Sequence, residues 1–209
     1  MGKEREVVKK VPNAVLYSDG TIRIDNVRAS YPHLDKPWAG KDADGDEGKK
    51  KTAKYGIVGL LPKDTHKQAK DLVKQAIMDM MAANDTKVAT DKWFLTDGDK
   101  GEKVEEEGHF KISARESRRP TCRNRDKSIL DKDEVAEVIY GGCYVNILIR
   151  PWYQDGVKVA KGYGKRINAG LVAVQFVRDG EPFGEGAIDD EGVFDDCEDD
   201  DENWGDDDL

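Results

Sequence analysis

Cysteine and histidine are both scarce: three of each in 209 residues, at positions 122, 143 and 197 and at 33, 66 and 109. No two cysteines have the close spacing of a zinc site and the histidines do not cluster. Neither a disulfide framework nor a metal centre is expected, and the thiols read as those of a reducing compartment. No run approaches the ~18 apolar residues that cross a bilayer, so no membrane partner is expected. The opening MGKEREVVKK has charge but no apolar stretch, which argues against secretion. Glu6 stands where a myristoylation signal needs serine or threonine. One further absence is local. The last twenty-one residues, 189–209, contain no lysine and no arginine.

What they do contain is thirteen carboxylates. The whole chain has 34 basic and 43 acidic side chains, net −9. Without residues 189–209 the body keeps all 34 cations against 30 acids and is net +4. A basic body tied to its own anionic segment points to a polyanionic ligand for which that segment competes. So charged and apolar-poor a segment is expected to be disordered alone. The division expected is therefore a folded domain over 1–188 and a disordered acidic tail over 189–209.

The body reads as mainly β. Residues 21–30 alternate apolar and polar, and residues 55–61 form a short apolar run closed by Pro62. Between them, 39–51 is a Gly/Asp/Lys-rich loop. One helix is clear: Ala69, Leu72, Val73, Ala76, Ile77 and Met80 recur at three- and four-residue steps, with Thr65 and Gln68 placed as a capping box. A polar loop over 96–108 follows, then alternation at 109–114, a basic loop at 115–127 and strong strands at 143–150 and 171–178. Asp155-Gly156 between PWYQ and VKVA marks a tight hairpin. About six strands, long polar loops and one amphipathic helix predict an OB-fold-like barrel rather than a layered α/β fold.

The basic loop concentrates Arg115, Arg118, Arg119, Arg123, Arg125 and Lys127 against only Glu116 and Asp126. Arginine offers an always-charged fork that meets phosphate oxygens in two hydrogen bonds. Lys111 lies beside Phe110, and Lys165 follows Tyr163. Trp93-Phe94 and Trp152-Tyr153 are adjacent aromatic pairs, whose members face opposite sides of a strand. An exposed ring among cations is a platform for an unpaired base. The candidate nucleic-acid-binding set is therefore Trp93, Phe94, Lys111, Arg115, Arg118, Arg119, Arg123, Arg125, Trp152, Tyr153, Tyr163 and Lys165. Catalytic signals fail. Gly48-Lys49 lacks the hydroxyl residue of a phosphate-binding loop, and Gly45 falls inside the run Asp42, Asp44, Asp46 rather than after it. Ser113 and Ser117 have no nucleophile motif around them. No enzyme and no cofactor are expected.

Four stretches together carry a family resemblance: SYPHL at 30–34, KYGIVGLLPK at 54–63, GGCYVNILI at 141–149 and NAGLVAVQFVRDGEPFG at 168–184. They resemble a bacteriophage family of single-stranded-DNA-binding replication proteins, over roughly residues 21–184. The resemblance implies an OB-fold barrel that binds single strands with little sequence preference, in the cytoplasm of an infected bacterial host. It implies action in DNA replication, recombination or repair. It also implies an acidic tail that contacts replication or recombination proteins. The tail's end supplies the candidate partner contacts Trp204, Asp206, Asp207, Asp208 and Leu209. A homodimer is left open. Two other classes remain beside this reading: an interaction or DNA-mimic module acting through the tail, against which the arginine cluster argues, and a metal-dependent nuclease, which lacks carboxylates embedded in the strands.

Overall fold

The computed structural model describes residues 5–39, 52–101, 103–156 and 164–184. Nine strands and two helices follow in the order β1 Val7–Val11, β2 Ala14–Tyr17, β3 Ile22–Trp38, β4 Lys54–Pro62, α1 Lys67–Ala83, β5 Leu95–Asp97, β6 His109–Glu116, β7 Thr121–Arg123, α2 Lys132–Val138, β8 Tyr144–Gln154 and β9 Arg166–Arg178. Five of these strands close on one another. β3 pairs antiparallel with β4, β4 with β6, β8 with β9, and β8 returns to β3. The ring is completed by a parallel contact between β6 and β9, Ala114 opposite Ala169. Numbered within the ring, the circuit runs 1-2-3-5-4-1, the OB arrangement of a small mixed barrel. The mainly β, OB-like expectation holds.

Period-two alternation drives the closure. Ile22, Ile24, Val27, Ala29, Ile57, Ile112, Ala114, Val145, Ile147, Ile149, Ile167 and Leu171 all turn inward and are almost wholly buried. α1 adds Ala69, Leu72, Val73 and Ile77 to the same core, as its periodicity requires. Gly59 faces the packed interior of the barrel: a Cβ there would stand 3.0 Å from Ile147 Cδ1 and 3.2 Å from Val27 Cγ2.

Several local expectations are corrected. β3 does not stop at Ser30. It runs through Pro32 and Pro37 to Trp38, with register shifts after Ser30 and after His33. Proline is tolerated where the ladder is broken by such bulges. The α1 N-cap is His66, with no side-chain cap; the Thr65 hydroxyl bonds His66 Nδ1 instead of the helix backbone. The reciprocal carboxylate of a capping box belongs to a second helix, α2, where the Asp131 N–H donates to Glu134 Oε2 at 2.8 Å. The stretch 96–108 holds short β5 and two 3₁₀ turns, Gly98–Lys100 and Val104–Glu106. Residues 115–127 are not one loop: Arg115 and Glu116 end β6, and β7 lies parallel to β9. The hairpin after PWYQ is wider than Asp155-Gly156 suggests. Pro151, Trp152, Tyr153 and Gln154 pair with Ala169, Asn168, Ile167 and Arg166. VKVA, at 157–160, lies outside the described residues.

Candidate nucleic-acid interface

An OB barrel presents the outer face of its second and third strands, flanked by the loops after its first and fourth, to ligands. Here those strands are β4 and β6. Alternation sends Gly56, Val58 and Leu60 outward on β4, opposite Arg115, Ser113 and Lys111 on β6. β3 extends the face with Ser30, beside Val58, and His33, beside Gly56. At the open end the Arg115 side chain lies over Gly56 and is exposed. Trp38 stacks on His33, with ring centroids 5.0 Å apart and planes 11° from parallel, and is itself 44% exposed. Burial, aided by the Arg115 charge, pushes the His33 pKa down, although Asp35 opposes this. The ring beneath Trp38 is therefore neutral near pH 7, and cationic character at this end comes from Arg115.

The other end of the face is partly covered. Lys111 is paired with Glu106, a carboxylate only 5% exposed on the 3₁₀ turn after β5. The Tyr31 hydroxyl donates to Glu105, and Lys103 Nζ sits 3.7 Å from the Tyr31 ring centroid. Lys111 thus carries its own counter-ion, which its sequence context does not reveal. Across the barrel's lower rim, Trp152 is 42% exposed on β8, opposite Asn168. Tyr153, its neighbour, turns inward against the core, with its hydroxyl 3.4 Å from Thr86 Oγ1. Lys165 Nζ donates to the same Thr86 oxygen at 2.9 Å.

Phe94 is corrected. Phe94 is 5% exposed in the main core and has no face to offer a base. Trp93 is half-buried; its Nε1–H donates to the Val88 carbonyl and its backbone bridges Ile167, so it clamps the loop after α1. The arginine run is dispersed rather than gathered. Arg119 donates to the Leu34 and Leu130 carbonyls, Arg123 to the Lys127 carbonyl, and Arg125 to the Val177 carbonyl. Those bonds fix turns, and they leave the remaining guanidinium donors of each residue available. The Arg115 and Arg118 side chains make no hydrogen bond or ion pair among the described residues.

A family model described as Enterobacter phage Enc34, ssDNA-binding protein, matches residues 20–204. The chain belongs to this family. The solved single-stranded DNA-binding protein from bacteriophage Enc34 in complex with ssDNA is 45% identical, with a TM-score of 0.76, covering 88% of this chain and 100% of that one. A second structure of the Enc34 protein gives 43% identity and a TM-score of 0.75 over 92% of this chain and 100% of that one. A protein designated p50, from Acyrthosiphon pisum secondary endosymbiont phage 1, is 29% identical over 187 residues, 84% of this chain and 92% of its own.

Of the expected set, the structure brings Arg115 and Lys111 to the β4–β6 face, and Trp152 and Lys165 to the β8–β9 rim. Tyr163, Trp204, Asp206, Asp207, Asp208 and Leu209 lie outside the described residues. Tyr31, His33 and Trp38 are the residues that sequence reasoning missed. Their signal was the SYPHL motif followed by Trp38 beside the lysine-rich stretch, hidden by ending the strand at Ser30. Among the described residues no helix is long and apolar enough to cross a membrane.

Proposed function

We propose that this protein binds single-stranded DNA without sequence preference and acts, without catalysing a reaction, in phage DNA replication, recombination or repair. Arg115 and neighbouring cations neutralise phosphates along the β4–β6 face, while two exposed rings, Trp38 at its open end and Trp152 on the β8–β9 rim, stack unpaired bases. The supporting observation is the Trp38–His33 stack beside an unpaired Arg115 on the OB ligand face, in a family described by its ssDNA binding. The acidic tail competes with DNA for the body's cations. Once displaced, it offers its end, Trp204 to Leu209, to replication or recombination proteins.

The test is a gel shift with labelled single strands and matching duplex, with and without magnesium, for the full chain and for a chain ending at Ile188. Single strands should be retained intact, with affinity falling against salt at a slope of roughly −3 to −4 for about five phosphate contacts. The shortened chain should bind more tightly at low salt. Salt-independent affinity, or equal preference for duplex, would overturn the reading.

A further inference from the structure

The side of the barrel away from the β4–β6 face holds a groove of about 440 Å³ on the outer surface of β3, β8 and β9, lined by Arg5, Tyr17, Arg23, Arg123, Asn146 and Gln175 among others. Its chemistry is that of an anion site. Arg150 adjoins it, 3.8 Å from Asp19. The facing carboxylates are Asp19, which pairs with Arg5 at 2.8 Å, and Asp25, which pairs with Arg23 at 2.8 Å. Four guanidiniums therefore meet two carboxylates, and two positive charges remain uncompensated. Asn146 and Gln175 add amide groups, joined by one bond of 3.2 Å from Asn146 Nδ2 to Gln175 Oε1. No feature of the β4–β6 face extends here.

The path of the chain says what fills the groove. Residues 179–183 fold back onto the outer face of β8. The Phe183 N–H donates to the Gly141 carbonyl, and Arg28 lies 4.3 Å from the Phe183 ring centroid and 5.8 Å from that of Tyr144. Arg178 covers the same Tyr144 ring at 3.3 Å. Tyr144 and Asn146 point to the same side of β8, two residues or roughly 7 Å apart. The chain therefore leaves the body on the groove's own surface. Twenty-five residues follow Gly184, fourteen of them acidic and none basic. At ~3.3 Å per extended residue they reach about 80 Å, several times what the groove requires. Tethering holds them at an effective concentration of the order of millimolar.

We infer that this arginine groove is the berth of the chain's own acidic tail, occupied by carboxylates from the segment beginning at Asp189 and separate from the base-stacking face. The inference rests on the preceding reading in one respect, that the tail seeks the body's cations, and it moves the place of that contact. The tail is held behind the barrel until a strand long enough to reach these arginines displaces it, and a strand short enough to stay on the β4–β6 face binds without displacing it.

A nitroxide attached to Cys197 tests this, since Cys122 and Cys143 are buried. At low salt the amide resonances of Arg123, Asn146 and Gln175 should be attenuated in the full-length protein, while those of Val58, Ser113 and Arg115 are not. The attenuation should vanish in the double variant R5Q/R123Q and at ~1 M salt, where screening acts within about 3 Å. Attenuation of Val58, Ser113 and Arg115 instead would place the tail on the stacking face, overturning the berth while leaving self-competition intact. No attenuation anywhere would overturn both. Attenuation unchanged in R5Q/R123Q would show that the arginines do not hold the tail. A groove that takes an oligonucleotide as readily in the full chain as in a chain ending at Ile188 would belong to nucleic acid, and would equally overturn the assignment.

Discussion

Arg115 lies across Gly56 on the β4–β6 ladder: a Cβ on Gly56 would stand 3.0 Å from Arg115 Cγ and 3.1 Å from the Ala114 carbonyl oxygen. The bare glycine lets the arginine stem lie across it, with the guanidinium charge near enough to act on His33. Arg115→Ala should remove one phosphate contact, weakening single-strand binding and reducing the salt slope by about 0.7. Gly56→Ala keeps the charge but displaces the stem. It should weaken binding less than Arg115→Ala and leave the salt slope near that of the parent. Salt titrations of the two variants check the distinction.

The aromatics divide into rings that hold the barrel and rings that face outward, and substitution should separate them. Trp38→Ala and Trp152→Ala are each expected to lose ~1–3 kcal/mol of strand binding with little change in melting temperature. Phe94→Ala removes a buried ring from the main core and should cost ~3–5 kcal/mol of stability. Paired binding and thermal-unfolding measurements decide it. A Trp38→Ala protein that binds normally would remove that ring from the stacking surface.

The barrel was legible because inward positions at 22, 24, 57, 112, 145, 147, 149 and 174 follow strict alternation, and α1 because its stripe has the helical period. The site was legible only in part. Charge runs along a sequence say nothing about where neighbouring residues point: Arg115 and Arg125 are ten positions apart and end on different strands' surfaces. Lys111 looked available because Glu106 comes from a separate turn. Trp93-Phe94 was recognised as an aromatic pair, yet packing against Val88 and the core used both rings. Tyr31 and Trp38 were lost for the opposite reason, since two prolines disguised the bulged half of β3 as a loop.

Gly142, just before β8, holds β3 and the segment after β9 together. Its φ is +110°, and a Cβ there would fall 2.1 Å from the Glu181 carbonyl oxygen. Its N–H donates to the Ala29 carbonyl at 2.7 Å, and its own carbonyl accepts from Arg28 Nε. Gly142→Ala must either strain the backbone, at about 1–3 kcal/mol, or push residues 180–183 away from the start of β8. We expect a lower melting temperature and faster proteolysis between β9 and the tail, read by thermal unfolding and limited digestion. The neighbouring Gly141→Ala has only the Phe183 ring at 3.9 Å and should be mild by comparison.

His66 gives the fold a pH dependence whose sign can be worked out. Its Nε2 lies 2.9 Å from the Asp25 carbonyl oxygen, which only accepts, so the proton is on Nε2; Nδ1 then accepts from the Thr65 hydroxyl at 2.8 Å. The side chain is 1% exposed, and burial pushes its pKa below the ordinary 6.5, although the Asp25 carbonyl, Asp64 and Asp25 oppose the shift. In the unfolded chain the ring protonates as pH falls through 6.5, while in the folded chain it stays neutral to a lower pH. The unfolded state then binds more protons, so this stabilisation is complete above pH 6.5 and is lost as pH falls below it. Chemical denaturation of the parent and of His66→Gln at pH 7.5, 6.5 and 5.5 should show the parent losing more stability over that range. Parallel profiles would mean that the buried ring is not the titrating group.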